Sequence, residues 1–478
     1  PLLGHHQQPG VSALKKGSIV ELEIEKFADK GKSLSRLDGY VVFVAGAVPG
    51  DKITARVFKK RKKFAEAALV DILEPSPLRT DPKCKYFLTC GGCKWQHVDY
   101  QAQLDAKRQS VQDAFEHHGG FESVEVLGTI GAEETYYYRN KMEFSFSAGR
   151  WLTPDEISSG DEFDTSFALG LHVPGNFAKV LDLTECHLQS ELSASIVNGV
   201  RAFALKKDWK PWHPRKHVGY LRHLVIREAR NTDELMINLV TSHYDIDRIK
   251  VFSKFLKKEF PQVTTLVNTI NSTPAQTAFG SEMHTVFGDG VIHDRIGDAT
   301  FEIASNAFFQ TNTVQAEILY KVAAEFAELK PDDLVYDLYS GAGTITCYLA
   351  PHVKHVVGVE LIEEAVQNAR RNAEDNKIEN VSFVTGDMLR LFNSSFIAKH
   401  GTPNVLIVDP PRAGLHPKVV AQIAALAPDR FVYISCNPLT QARDLAMMSE
   451  VYDVEKVQPV DLFPHTHHIE SVALLRKK

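Results

Sequence analysis

From about residue 301, helical segments alternate with short apolar runs, and this pattern restricts the fold more than any other feature. The runs are Leu334 to Leu338, Val356 to Val359, Val381 to Val384, Val405 to Val408 and Phe431 to Ile434. Runs this apolar suit strands buried on both faces, so a parallel, doubly wound α/β sheet is expected over 301–478. Such a sheet gathers its functional residues in the loops at the carboxyl ends of its strands. The first run leads into Tyr339-Ser340-Gly341-Ala342-Gly343-Thr344. Glycines there let the backbone turn sharply and approach a ligand closely. The second run ends in Glu360, 19 positions after Gly341, where a carboxylate suits a ribose diol. The third ends Thr385-Gly386-Asp387 and the fourth Asp409-Pro410-Pro411-Arg412.

A glycine loop and a correctly spaced acid point to an adenosine-containing cofactor. The order Asp-Leu-x-x-Gly-x-Gly, Glu, Gly-Asp, Asp-Pro-Pro resembles class I S-adenosylmethionine methyltransferases rather than dehydrogenases. The fifth run ends Ser435-Cys436-Asn437-Pro438, which puts a candidate nucleophile at the mouth of the same crevice. The tail Pro464-His465-Thr466-His467-His468-Ile469-Glu470-Ser471 adds a carboxylate and three histidines. A thiol beside a methyl donor has a specific use. Carbon 5 of a pyrimidine is a poor nucleophile, but thiolate addition at carbon 6 makes it enolate-like. A base then removes the carbon-5 proton and the thiolate leaves, one hard step having become several easier ones.

On these motifs the chain resembles the RNA uracil-5-methyltransferase family, especially its ribosomal-RNA members. The resemblance implies Cys436 as nucleophile and Glu470 as general base. It implies that Phe308-Phe309-Gln310-Thr311-Asn312 places Gln310 at cofactor and target base, with Phe308 and Asp409 also at the base. Tyr339, Gly341, Gly343, Thr344, Glu360, Asp387 and Asp409 would line the cofactor site. Tyr339, Ser340 and Thr344 stand where relatives often carry Phe, Cys and Asn. The histidines are read as packing or hydrogen-bonding residues.

Upstream, short strands punctuated by Gly31, Gly39, Gly46 and Pro49-Gly50 suggest a small barrel over 15–75, after a disordered tail at 1–14. The expected strands are Ile19 to Ile24, Tyr40 to Val44, Lys52 to Phe58 and Ala67 to Leu73. The net charge of −6 speaks against nucleic acid, but the average misleads. Between Lys15 and Lys63 there are 13 Lys/Arg against 6 Asp/Glu. Lys59, Lys60, Arg61, Lys62 and Lys63 form one run at an expected hairpin tip, either holding phosphates or solvating a turn. The barrel resembles a TRAM domain, an RNA-binding module.

Residues 76–300 are expected to form a central, mostly β (α+β) domain. A helix is expected over about 99–118, packing on the catalytic domain, and 151–166 reads as an acidic surface loop. Cys84-x5-Cys90-Gly91-Gly92-Cys93 with the distant Cys186 has the spacing of a zinc or four-iron site, and His97 adds a nitrogen. Spacing does not choose between them; the family resemblance implies a [4Fe-4S] cluster. Cluster and barrel together favour ribosomal over transfer RNA. Tyr138-Arg139-Asn140-Lys141 and Tyr220-Leu221-Arg222-His223 also resemble family motifs, as RNA contacts or as buried ion pairs. Six cysteines in 478 residues make no disulfide scaffold, and no apolar run reaches a membrane span. The first residues carry neither the basic nor the apolar region of a secretory signal. The reading is therefore a cytoplasmic, monomeric, 23S ribosomal-RNA uracil-5-methyltransferase. Its rivals are tRNA uridine-5 or RNA cytosine-5 methylation, a radical S-adenosylmethionine enzyme, and a non-catalytic ribosome-assembly factor. The first cysteine gap does not fit the Cys-x3-Cys-x2-Cys triad of the radical enzymes.

Overall fold

The computed structural model describes residues 14–478. The expected tail therefore lies outside the described residues, except for Leu14, which is buried. The chain divides into two compact units. One runs through Lys107 and also holds Phe463–His467; the other holds Arg108–Leu462 and His468–Lys478.

In the first unit six strands form one sheet: β1 (Ile19–Glu23), β2 (Lys26–Phe27), β3 (Ser33–Leu37), β4 (Tyr40–Ala45), β5 (Lys52–Lys60) and β6 (Phe64–Glu74), in the order β1-β5-β6-β4-β3-β2. Along β5, Ile53, Ala55 and Val57 are buried while Lys52, Arg56 and Phe58 face outward, the alternation of a one-sided strand. Sequence reading missed β2 and β3, which are short and polar. It also placed the whole basic run at a hairpin tip. Only Arg61, Lys62 and Lys63 occupy the exposed turn. Lys59 and Lys60 belong to β5; Lys59 pairs with Glu66, and the Lys60 ammonium donates to the Leu14 carbonyl (2.7 Å). After β6 the chain is turn-rich through the cysteine loop. Within this unit the Lys94 and Trp95 amides donate to the His465 carbonyl (2.8 and 3.0 Å), and the His465 amide donates to Gln103 Oε1 (2.9 Å).

The expected helix is present as Tyr100–Ala114, widening into a looser turn at Phe115–Gly119 and ending at Gly120 in the left-handed region (φ 71°). Val111 and Phe115 enter the core of the second unit. That unit contains β7 (Glu125–Val126), β8 (Lys141–Ser147), β9 (Arg150–Trp151), β10 (Ala168–Val173), β11 (Asn176–Asp182), β12 (Leu221–Glu228), β13 (Leu235–Thr241), β14 (Thr265–Ile270) and β15 (Glu282–Phe287). All but β7 join one sheet in the order β15-β14-β13-β12-β8-β10-β11-β9. On one of its faces Phe144, Leu224, Ile226, Ile237 and Leu239 pack with Ile196, Val200, Phe252 and Leu256 of helices Glu191–Lys206 and Ile246–Glu259. The strand-dominated reading of 136–300 overlooked those helices. The expected acidic loop contains a short helix, Pro154–Ser159, closed by a Thr153/Glu156 capping box. Arg222 is structural: its guanidinium donates to the carbonyls of Asn271 (2.6 Å), Thr273 (2.5 Å) and Ala275 (2.6 Å) and lies 4.6 Å from the Trp212 ring centre.

A hairpin, β16 (Val291–Ile296) and β17 (Ala299–Ala304), leads into the second large sheet. Its strands are β18 (Leu334–Leu338), β19 (His355–Glu360), β20 (Val381–Thr385), β21 (Val405–Val408), β22 (Arg430–Ser435), β23 (Tyr452–Val460) and β24 (Glu470–Lys477), with β7 at the edge. The order is β20-β19-β18-β21-β22-β24-β23-β7. β18 to β22 run parallel, as expected; β24 is antiparallel to both neighbours. Strand order reverses between β18 and β21, the switch point at whose strand ends sheets of this kind hold their ligand in a crevice. Among the described residues no helix is long and apolar enough to cross a membrane.

Candidate active site

The glycine loop follows β18. Tyr339 takes a left-handed φ of 68°, unusual for a residue with a side chain, and the Tyr339 and Ser340 amides both donate to the Val359 carbonyl (2.9 and 3.0 Å). The two glycines do different work. A Cβ on Gly341 (φ 54°) would meet nothing within 4 Å, so its surface is open to a ligand. A Cβ on Gly343 would lie 2.9 Å from the Phe383 ring and 3.0 Å from Ala369. Gly343 is thus required by packing. Glu360 is held by the loop: Oε2 accepts from the Gly341 amide (3.0 Å), Oε1 from those of Leu361 (2.7 Å) and Ile362 (3.0 Å). Asp387, at the end of β20, caps the next helical turn by accepting from the Leu389 amide (3.0 Å). Thr344 shares a hydrogen bond with the Tyr320 hydroxyl (3.0 Å), and Ser340 Oγ is buried without a partner. An open glycine surface, an orphaned hydroxyl and two ordered carboxylates at neighbouring strand ends fit an adenosine-bearing methyl donor.

Cys436 and Glu470 come together through register. Ile434 opposes Val472 and Ser435 opposes Ser471, so continuing the β22–β24 ladder by one residue sets Cys436 opposite Glu470. Opposed residues of an antiparallel pair have Cα atoms roughly 4.5–5.5 Å apart. The ladder end is fastened by Ser471 Oγ donating to Gln441 Oε1 (2.6 Å), while Gln441 Nε2 donates to the Tyr433 (2.8 Å) and Ser471 (3.2 Å) carbonyls. Asp409 enters from β21. Its amide donates to the Leu338 carbonyl (3.3 Å).

Electrostatics mark these groups as one set. Burial, then the charges of Glu470 and Asp409, push the Cys436 thiol up to about 11, with Arg412 opposing them. At rest the thiol therefore keeps its proton. Burial, then the charge of Asp337, pushes Asp409 up to about 7. Burial, then Asp409, holds Glu470 well above the ordinary carboxyl range. Asp337, at the end of β18, is itself pushed up to about 7 by burial, although Thr346 Oγ1 donates to its Oδ2 (2.6 Å). Asp409 thus couples to the thiol and Glu470 on one side and to Asp337 on the other. Sequence reading left Asp337 and Arg412 without roles. Arg412 was visible in the Asp-Pro-Pro-Arg run, but its effect on Cys436 depends on how the loops meet. Asn437 Nδ2 (3.1 Å) and Thr440 Oγ1 (3.3 Å) both donate to the Arg412 carbonyl, tying the loop to the cysteine turn.

The raised Asp409 gives a stability prediction. A carboxyl that titrates near 3.8 when unfolded and about 7 when folded costs nothing below pH 4, and its cost grows as pH rises towards 7. Asp409→Asn should therefore match the parent in thermal unfolding at pH 4 and exceed it by roughly 2–4 kcal/mol at pH 8. Equal stability at both pH values would contradict the buried, uncompensated carboxyl.

The Phe308–Asn312 loop is fixed from both sides. Asn140 donates its amide to the Thr311 carbonyl (2.8 Å) and Nδ2 to the Gln310 carbonyl (2.8 Å). Asn312 caps helix Thr313–Ala327 and donates Nδ2 to the Leu462 carbonyl (3.0 Å). Phe309 is buried against Phe301, whereas the Phe308 ring is 75% exposed, a bare aromatic face.

A Rossmann-like sheet with a glycine loop and ordered carboxylates at its strand ends is the architecture of a class I methyltransferase. The sequence profile of the tRNA (Uracil-5-)-methyltransferase family matches residues 289–478, and that of the TRAM domain matches residues 13–70. The chain is 42% identical over 471 residues to an uncharacterized RNA methyltransferase of Chlorobaculum tepidum, covering 97% of each. It is 43% identical over 461 residues to another of Porphyromonas gingivalis, covering 95% of this chain and 99% of that one. Among solved structures, the tRNA (uracil-54, C5)-methyltransferase of Pyrococcus abyssi in complex with S-adenosyl-L-homocysteine superposes with a TM-score of 0.75 at 28% identity. It covers 95% of this chain and all of that one. The chain belongs to the S-adenosylmethionine-dependent RNA (uracil-5-)-methyltransferase family, and its N-terminal unit carries a TRAM domain.

Proposed function

We propose that this chain methylates carbon 5 of a specific uridine in 23S ribosomal RNA through a covalent Cys436–uracil adduct resolved by Glu470. The observation that carries the proposal is the β22–β24 register opposing thiol and carboxyl at the crevice mouth. Bound S-adenosylmethionine would supply an electrophilic methyl group, with Gly341, Glu360 and Asp387 at its site. Cys436 Sγ adds to carbon 6, its proton passing to the carboxyl cluster, and the ring electrons shift towards the carbon-4 carbonyl. Carbon 5 then takes the methyl group. Glu470 in its ionised form removes the carbon-5 proton and later yields it to solvent, and the carbon–sulfur bond breaks, the sulfur taking its own proton back from the carboxyl cluster to restore the resting thiol. Phe308 offers a stacking face to the flipped base, and Gln310 and Asp409 read its edge.

A tRNA uridine is the second reading. A transfer-RNA enzyme matches 95% of this chain, so possession of the N-terminal parts does not by itself separate the two substrates. Mapping 5-methyluridine in 23S ribosomal RNA and in tRNA from cells with and without the gene decides. Loss of one 23S position supports the proposal, loss of a tRNA position supports the second reading, and no loss in either sinks both.

The cluster assignment to Cys84, Cys90, Cys93 and Cys186 is likewise a proposal. Cys84, Cys90 and Cys93 lie on one turn-rich loop, where Gln96 Oε1 accepts from the Cys84 amide (3.0 Å) and the Gly92 amide points at Cys90 Sγ (3.4 Å). The amides of Leu188 and Gln189 bond to the Cys186 sulfur. Amide-to-sulfur hydrogen bonds suit thiolates of a four-iron cluster, whose role here would be structural. Among the described residues no group of three His, Cys, Asp or Glu side chains suits a single metal ion. Protein purified without oxygen should carry about four irons per chain. Stoichiometric zinc without iron would overturn the assignment.

For RNA backbone binding, the exposed turn residues Arg61, Lys62 and Lys63 are the phosphate candidates. Neutralising these three should lower the slope of log affinity against log salt by roughly 2 to 3, at about 0.7–0.9 per lost contact. An unchanged slope would make the turn a solvated one.

A further inference from the structure

At one end of the central sheet three connecting segments emerge together. Leu221, which opens β12, lies opposite Thr241; Thr241 lies opposite Ile270, and Ile270 opposite Glu282. The segment before β12 and those after β13 and β14 therefore share that end. The first is strongly basic: residues 206–218 hold Lys206, Lys207, Lys210, Arg215 and Lys216 against Asp208 alone. Lys210 is answered by Asp208 and by the charge of Asp164. Lys206 and Lys207 close helix Glu191–Lys206, where cations suit the helix dipole. Arg215 and Lys216 have no such use. Lys206, Lys207, Arg215 and Lys216 are all exposed, and none forms an ion pair among the described residues. The loop that carries Arg215 and Lys216 is braced. The His213 amide donates to the Val218 carbonyl (2.7 Å), and the His217 amide to the His213 carbonyl (2.9 Å). The Arg215 and Lys216 amides both donate to His213 Nδ1 (3.3 Å each). The His217 ring lies parallel to Trp212 (7°, centres 6.1 Å apart). Gly219 (φ 116°) pinches the neck, since a Cβ there would sit 2.2 Å from the Pro211 carbonyl oxygen.

The second segment adds an aromatic surface. Tyr244, just after β13, is 42% exposed and stacks on His284 of β15 (4.0 Å, 23°). A ring backed on one side and open to solvent is a platform for an unstacked base, and unpaired cations at the same end suit phosphates. Most acids there are engaged: Asp245 pairs with Arg248 (3.1 Å) and Glu282 lies 2.7 Å from His284, leaving Asp247 exposed. The third segment, 271–281, carries no charge. The far end of β12 leads to the proposed target base, because Arg227 there donates to the Ala307 carbonyl (2.8 Å), beside Phe308. Leu221 to Arg227 is about 20 Å along a strand. We propose that the Leu221 end of the central sheet is a second RNA contact surface, holding a single strand about six stacked nucleotides from the target uridine. The four unpaired cations take its phosphates, and one unstacked base lies on Tyr244. The inference rests on the RNA-methylation reading and extends the RNA footprint beyond the crevice.

The test is binding of the full chain, over a salt series, to a labelled single-stranded RNA of about 20 nucleotides, long enough to reach both places. Lys206→Gln, Lys207→Gln, Arg215→Gln and Lys216→Gln combined should lower the slope of log affinity against log salt by roughly 3, at about 0.7 per lost contact on a single strand. Tyr244→Ala should weaken binding about tenfold with the slope unchanged, and Tyr244→Phe, which keeps the ring, should stay within about twofold of the parent. S-adenosylhomocysteine affinity within about twofold of the parent's shows that each variant folds. A duplex of the same sequence offers no unstacked base, so Tyr244→Ala should leave its binding unchanged. An unchanged slope in the four-site variant, or parental affinity in Tyr244→Ala, overturns the surface whether or not any methyl is transferred. Equal losses for strand and duplex in Tyr244→Ala overturn it too, since the ring would then not be stacking on a base. The expected binding losses without methylation of any transcript would instead count against the reaction and leave the surface standing.

Discussion

Cys436→Ala should lower methyl transfer to RNA by about 10⁴-fold or more, with S-adenosylhomocysteine affinity within a few-fold of the parent. The thiol acts on the base, so its loss removes the covalent route and little else. Cys436 follows the end of β22 and is half-buried, so alanine leaves no large cavity, and thermal stability should barely move. Burial holds the thiol near 11, so roughly one in a thousand is ionised at pH 8 in the resting protein. The parent rate should accordingly climb through the alkaline range. A parental rate in the alanine variant, measured with labelled methyl donor, would rule out the thiol mechanism.

Glu470→Gln should have the second largest effect, and a different kind. Glutamine copies the shape of the buried side chain and should not disturb β24. Addition and methyl transfer can proceed, but the carbon-5 proton has no base. Turnover should fall about 10²–10⁴-fold, the usual worth of a positioned base. A methylated protein–RNA adduct should survive a denaturing gel. Normal turnover without adduct would mean that another group is the base, with His467 and His468 the nearest candidates along the chain.

The five parallel strands were legible because a strand covered on both faces must be apolar throughout, and Val405 to Val408 leaves no other reading. The crevice residues followed, since parallel strands deliver their carboxyl ends to one side. Strand pairing was not legible. Glu470 was read as part of a histidine-rich tail, yet it opens β24, and only the register with Ser435 reveals its partner. Nothing local encodes that register, because Ser471 and Gln441 settle it across 30 residues. Nor does a Gly-x-Gly pattern say which glycine packs against Phe383. Lys59 and Lys60 looked like tip residues because charge runs favour turns, but β5 extends through them and Glu66 recruits one.

The central claim is that methylation occurs at carbon 5 of uracil through a reversible thiol adduct. Tritium placed at carbon 5 of every uridine in the transcript tests it in one measurement. Each methyl group transferred by the parent protein should release one tritium to water, and Cys436→Ala should release none. Methyl transfer without tritium release would place the methyl group elsewhere and contradict the account.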